Sequence, residues 1–131
     1  MADYSKLERA PYKTEDEYFR SNPHVGGMAT EDDRIIINPY SKLKPEEKDA
    51  VRMNEASRIL MRRAGVPKFQ LSDQQAKFLD GTEYAKASDD DRRATVMARH
   101  FSGDPSVGQI TDEQAKHLDW LKGAMKSWLG D

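Results

Sequence analysis

Histidine is the residue that most often serves as a catalytic base or metal ligand, and the chain has three: His24, His100 and His117. None is spaced as H-x-x-x-H or H-E-x-x-H, so no helix face presents two imidazoles to a metal ion. His100 lies near the end of a predicted helix, where a positive charge would complement the helix dipole. We therefore interpret the histidines as structural and predict no metal site.

Two acidic runs, 31–33 and 89–91, carry the oxygen ligands that hard cations prefer. Neither has the D-x-[DN]-x-[DN]-G spacing of a calcium loop. The second run directly follows Ser88, so we interpret it as the acidic first turn of a helix. Gly26-Gly27 lacks the lysine and the spacing of a phosphate-binding loop and is interpreted as a flexible turn. No G-x-S-x-G motif is present. The sequence thus predicts no catalytic residue and no cofactor.

Glu55 lies within the segment that most strongly predicts a helix. A buried glutamate with a raised pKa can act as a general base. Arg52, Arg58 and Arg62 are all within helical reach of it, however. We therefore predict that Glu55 belongs to an ion-pair network rather than to a catalytic site.

Basic residues cluster on the same predicted helix and are a candidate nucleic-acid face: Lys44, Lys48, Arg52, Arg58, Arg62 and Arg63. No aromatic side chains for base stacking accompany them. The whole chain has 21 basic and 23 acidic residues and a formal net charge of -2. A solvated face, or a face for an acidic partner, is favoured over nucleic-acid binding.

Composition narrows the class of protein further. The 131 residues contain no cysteine, which excludes disulfides, thiol catalysis and cysteine-bound zinc. The N-terminus lacks the apolar core of a signal peptide, and no apolar run approaches the roughly 18 residues of a membrane span. We expect a soluble protein that is made in the cytoplasm and has no membrane partner.

Hydrophobic periodicity and capping residues predict a mainly α fold. The predicted helices cover 45–64, 72–80, 88–102 and 111–129, each with a start or stop residue at its ends. The stripe on the first of them is Ala50, Met53, Ser57, Leu60 and Ala64. One core is expected to contain Leu60, Met97, Phe101, Leu118, Leu121, Met125 and Trp128. This predicts a helical domain over 44–131 with four to five helices in the whole chain.

Residues 1–43 show little helical periodicity and are predicted to form an extended N-terminal arm. A T-x-x-E capping box at Thr14 and Glu17 starts a brief helix in it. Ile35-Ile36-Ile37 is the single convincing strand, and a lone strand needs a partner. It is predicted either to wrap onto its own helices or to add to a sheet of another chain. The candidate partner-binding residues are Ile35, Ile36, Ile37, Tyr40, Arg58 and Arg62.

Two stretches of the chain are similar to each other. LSDQQAKFLDG at 71–81 matches ITDEQAKHLDW at 110–120, and Gly-x-Pro precedes each. A tandem pair of helical hairpins would explain the match. Convergence of good capping residues and helix formers is the alternative.

Several short segments of the chain resemble the sequences of small uncharacterised proteins of tailed bacteriophages. They are YFRSNPHVGGM at 18–28, DRIIINPYS at 33–41, NEASR at 54–58 and SGDPS at 102–106. The resemblance implies a phage origin, as a virion or accessory component, and brings no active site with it.

Three functions remain open from the sequence. The first is a non-enzymatic structural or interaction protein that binds a protein partner, or a second copy of itself, through the arm. The second is a nucleic-acid-binding accessory protein that uses the arginines of 45–64. The third is an enzyme whose site assembles from scattered carboxylates, tyrosines and His24.

Overall fold

The computed structural model describes residues 3–130. Over this range the chain is mainly helical, as predicted, with five α-helices and one two-stranded sheet. The elements in chain order are α1 (Lys13–Ser21), β1 (Gly27–Ala29), β2 (Ile35–Ile37), α2 (Pro45–Ala64), α3 (Asp73–Asp80), α4 (Asp89–Phe101) and α5 (Asp112–Leu129). Short 3-10 helices cover Tyr4–Leu7 and Pro105–Val107.

Local capping explains why the helices begin where they do. The predicted N-caps Ser72, Ser88 and Thr111 are confirmed, since each side-chain oxygen accepts a backbone N–H from the first turn of its helix. The box predicted at Thr14 is wrong. α1 begins at Lys13, because Glu15 rather than Glu17 accepts the N–H of the preceding Tyr12, at 2.8 Å.

α2 is the central element of the core. It packs against α4 and α5, and also against the β1–β2 sheet and the first 3-10 helix. Because α2 is covered by several elements, Ala56, Ile59 and Met61 are buried although they lie outside the predicted stripe. Ala64, at the end of that stripe, is exposed.

The predicted core residues share one cluster. Leu60, Met97, Leu121 and Met125 are buried in it, and the remaining three are partly buried and pack against it. Leu7 and Ile35 belong to the same cluster. The N-terminal segment therefore contributes to the core of the helices.

The similar stretches 71–81 and 110–120 occupy equivalent positions. Gln75 and Gln114, 39 residues apart, are fully buried and hydrogen-bond each other through both amide groups, at 2.7 and 2.8 Å. The remaining bonds also correspond: Gln75 donates to Gln109 O, and Gln114 donates to Gln70 O. The two capping boxes thus meet across a local two-fold relation.

The first helices of the two similar units also pack together. α2 packs against α4, and each of them carries a small buried hydroxyl residue, Ser57 or Thr95, that donates to a carbonyl of its own helix. The units therefore interlock rather than forming two self-contained hairpins.

Candidate functional site

The isoleucine triplet is part of the interior. Ile35 and Ile36 are both 0% exposed, and β2 pairs antiparallel with β1, a strand that the sequence did not predict. Their proposed contact with a partner is therefore corrected: both side chains are buried within this chain. Ile37 is partly buried, and Tyr40 is 37% exposed with its hydroxyl bonded to Asp16 at 2.9 Å.

The arginines of α2 bind the N-terminal segment. Arg52 pairs with Glu8, and Arg62 bonds to both Asp33 and the carbonyl of Thr30, each at 2.6 Å. These side chains hold the segment on α2, so much of the candidate nucleic-acid face is engaged within the chain.

A cleft of about 800 Å³ opens between the N-terminal segment, α2 and α4. It is lined by residues 24–27, by α2 from Glu47 to Arg58, by the turn 82–84 and by residues at the end of α4. A second cleft of about 490 Å³ continues along α2 to Met61 and Val66. The residues that line both clefts are Val25, Gly27, Glu55, Arg58, Glu83 and Tyr84. We call this continuous surface the Glu55 groove.

Glycines let the backbone approach α2 at the wall of this groove. A Cβ atom on Gly26 would lie 2.9 Å from a methyl group of Val51, and one on Gly27 would lie 2.6 Å from the carbonyl oxygen of Ile36. Gly26-Gly27 is therefore a close-packed entry into β1 and not the flexible turn that the sequence predicted.

Glu55 lies where the two clefts meet. Burial raises the pKa of its carboxyl, and Arg58, a backbone hydrogen bond from Ala29 and Arg99 oppose that rise. None of the ion pairs among residues 3–130 includes Glu55. The predicted ion-pair network around it is wrong, because Arg52 and Arg62 pair with carboxylates of the N-terminal segment instead.

Arg58 lines the groove, and no carboxylate in the described part of the chain pairs with it. Its guanidinium donates to Asn54 at 3.1 Å and to Thr95 at 3.2 Å, and lies 5.1 Å from the ring centroid of Tyr84. These contacts fix its position, so the groove holds one oriented cation beside Glu55.

Residues at and after the end of α4 line one part of the groove. Arg99 pairs with Asp104 at 3.2 Å. Burial lowers the pKa of the neighbouring His100, an effect that Asp104 opposes. His100 Nε2 is buried and has no hydrogen-bond partner among residues 3–130. Burial thus disfavours the charged imidazolium that the predicted interaction with the helix dipole requires.

β1 has a free edge beside the groove. Hydrogen bonds to β2 flank the strand at Gly26 and Thr30. Since bonded and non-bonded pairs alternate in an antiparallel ladder, the backbone groups of Gly27 and Ala29 point away from β2. Both residues line the groove. Glu55 takes the N–H of Ala29, and Gly27 makes no backbone hydrogen bond outside the sheet in residues 3–130.

The other hydrogen-bonding side chains of the groove do not contact Glu55 through a hydrogen bond in the described residues. His24 and Tyr84 also line the groove, but neither hydrogen-bonds to Glu55 in the described structure, so no paired base and nucleophile is formed. No group of three potential metal ligands lies together in residues 3–130. None of the helices described is long and apolar enough to cross a membrane.

Comparisons of the chain with protein-family models, with curated proteins and with solved structures returned no match. Of the sequence-predicted site residues, the structure brings Arg58 and Arg62 to the groove and keeps Ile35 and Ile36 in the core. Sequence reasoning weighed Glu55 but could not place it in a cleft. The one sequence feature that pointed to a site at Glu55 was its position on α2 beside, rather than within, the apolar stripe.

Proposed function

We propose that this chain is a non-enzymatic interaction protein that holds an extended segment of a partner protein in the Glu55 groove. A role in a tailed-phage particle or its assembly is part of the proposal and rests on the resemblance of the sequence words. The observation that carries the binding role is the free edge of β1 beside an elongated groove with apolar and charged walls.

The free edge favours a peptide over a compact small molecule. An extended segment laid along β1 can exchange backbone hydrogen bonds with Gly27, as in the addition of a strand to a sheet edge. Its alternate side chains would then contact Val25 and Met28 on one side and Tyr84 on the other. Backbone bonds supply affinity in this mode, and the pockets supply selectivity.

The nucleic-acid alternative has less support, because the described arginines of α2 are largely bonded within the chain. Arg52 and Arg62 would have to leave Glu8 and Asp33 before they could bind phosphate.

Selection from a random library of 12-residue peptides on the full-length chain tests the proposal. The affinity of an enriched peptide is then measured for the unmodified chain, for Tyr84→Ala and for Trp120→Ala. Trp120 is the matched control, since it is an aromatic residue 42% exposed on α5 and outside the groove. We expect Tyr84→Ala to weaken binding about tenfold and Trp120→Ala to leave it unchanged.

A second variant keeps the test valid even if Tyr84→Ala does not fold correctly. Met28→Trp adds bulk in the groove at a partly exposed position and should also abolish binding. Equal affinity in Tyr84→Ala, Met28→Trp and the unmodified chain, or loss only in Trp120→Ala, would contradict the proposal.

A further inference from the structure

We infer that the segment held in the Glu55 groove carries a basic side chain, lysine or arginine, whose cation pairs with Glu55. This inference rests on the proposed function and names the chemistry of the partner segment. It follows from the charges that line the groove and from which of them are already paired.

Within residues 3–130, no cation is bonded to the carboxylate of Glu55. The arginines within helical reach of Glu55 are directed elsewhere: Arg52 to Glu8 and Asp49, Arg62 to Asp33. Arg58 is held by Asn54, Thr95 and the ring of Tyr84. The carboxylate therefore meets the groove with one backbone N–H as its partner, which leaves acceptor capacity for a charged donor.

The exposed rim of the groove adds negative potential. Glu47, Glu83 and Asp91 line it, and none of them takes part in an ion pair within residues 3–130. Asp104 is neutralised by Arg99. Among the described arginines that line the groove, Arg58 alone has no ion pair. The unpaired carboxylates outnumber it, so the summed field attracts a positive group.

An acidic segment is the competing occupant, because Arg58 and Arg62 both line the groove. Arg62 is already bonded to Asp33 and to Thr30 O. An incoming carboxylate would therefore have Arg58 alone and would lie among Glu55 and the rim carboxylates. Like charges placed together at an interface oppose binding, so the basic segment is favoured.

Three synthetic peptides test the inference: acetyl-Gly-Val-Lys-Val-Gly-amide, and the same peptide with norleucine or glutamate at the centre. Norleucine retains an aliphatic side chain and lacks the charge. Each peptide is titrated into isotope-labelled full-length chain, and Kd is obtained from the amide shifts of residues 25–29 and 82–84. For the unmodified chain we expect the lysine peptide to bind about tenfold more tightly than the norleucine peptide, and the glutamate peptide to bind weakest.

Glu55→Gln should remove the preference for lysine and leave the Kd of the norleucine peptide within about twofold. Glu113→Gln is the matched control, because Glu113 is exposed on α5 and outside the groove, and it should retain the preference. Equal binding of the lysine and norleucine peptides, tightest binding of the glutamate peptide, or a lysine preference that survives Glu55→Gln would each overturn the inference while leaving the groove as a peptide site. If none of the three peptides shifts these amides, both the inference and the proposed function fail.

Discussion

Replacing one member of the buried amide pair, Gln75 or Gln114, should destabilise the fold strongly. Gln75→Leu removes the two bonds that join the amides and the contacts of Gln75 with Gln109 O and Ser72 N. Gln114 is left buried with one of its donor bonds and one of its acceptor bonds missing. A buried polar group without its partner costs about 1–3 kcal/mol, so the expected loss is about 2–4 kcal/mol.

The double variant makes this expectation specific. When both glutamines become leucine, no unpaired side-chain amide remains, and the loss should be smaller than the sum of the two single losses by at least about 1 kcal/mol. Urea unfolding of the four chains gives the free energies by linear extrapolation. Gln70→Leu is the control, because its side chain is exposed, and should change stability by less than about 0.5 kcal/mol. Additive losses in the double variant would refute the interpretation of these residues as a coupled pair.

Three further predictions concern the core and its charges. Leu121→Ala should lower the free energy of unfolding by about 2–5 kcal/mol, because Leu121 is 0% exposed in the core; an unchanged urea midpoint would contradict this. The fragment 44–131 should lose cooperative thermal unfolding in calorimetry, because it lacks Leu7 and Ile35; a sharp transition would show that the helices fold alone. The pKa of Glu55 is raised in the folded state, so the folded state keeps this proton to a higher pH than the unfolded state does. The stability that this group contributes therefore falls as pH rises from the ordinary glutamate value of 4.5 through the folded pKa. Melting curves of Glu55→Gln from pH 4 to 8 should lack that component, and an identical pH profile would contradict it.

The helices could be predicted because their ends are decided locally. Ser72, Ser88 and Thr111 cap the helices that follow them through hydrogen bonds spanning three residues, and such bonds depend little on the rest of the fold. α2 was predicted from Pro45 to Ala64 from two other local signals, because proline suits the first helical position and Gly65 follows the last.

β1 could not be predicted in this way. Its residues, Gly27–Ala29, have weak strand propensity, and they form a strand because the backbone packs against Val51 of α2 and pairs with β2. Because β1 was not predicted, the isoleucine triplet had no partner strand within the chain, and it was predicted either to wrap onto its own helices or to add to a sheet of another chain.

The charges of the candidate site depend on which carboxylates pair with the arginines of α2, and the sequence does not show this. Helical spacing puts Arg52, Arg58 and Arg62 within reach of Glu55. Glu8 and Asp33 lie far away along the chain but close in the fold, and they take Arg52 and Arg62. Tertiary packing determines which carboxylate pairs with each arginine. Helical spacing alone therefore predicted ion pairs for Glu55 that do not form in the described structure.

The most direct test of the Glu55 groove as a binding site is to locate a bound peptide by photo-crosslinking. Benzoylphenylalanine placed at position 83, on the exposed rim of the groove, should crosslink to a peptide selected from the random library when the complex is illuminated. The same group at position 113 on α5 should give no crosslink. Crosslinking from position 113 and none from position 83 would place the bound segment on another surface and contradict the proposed function.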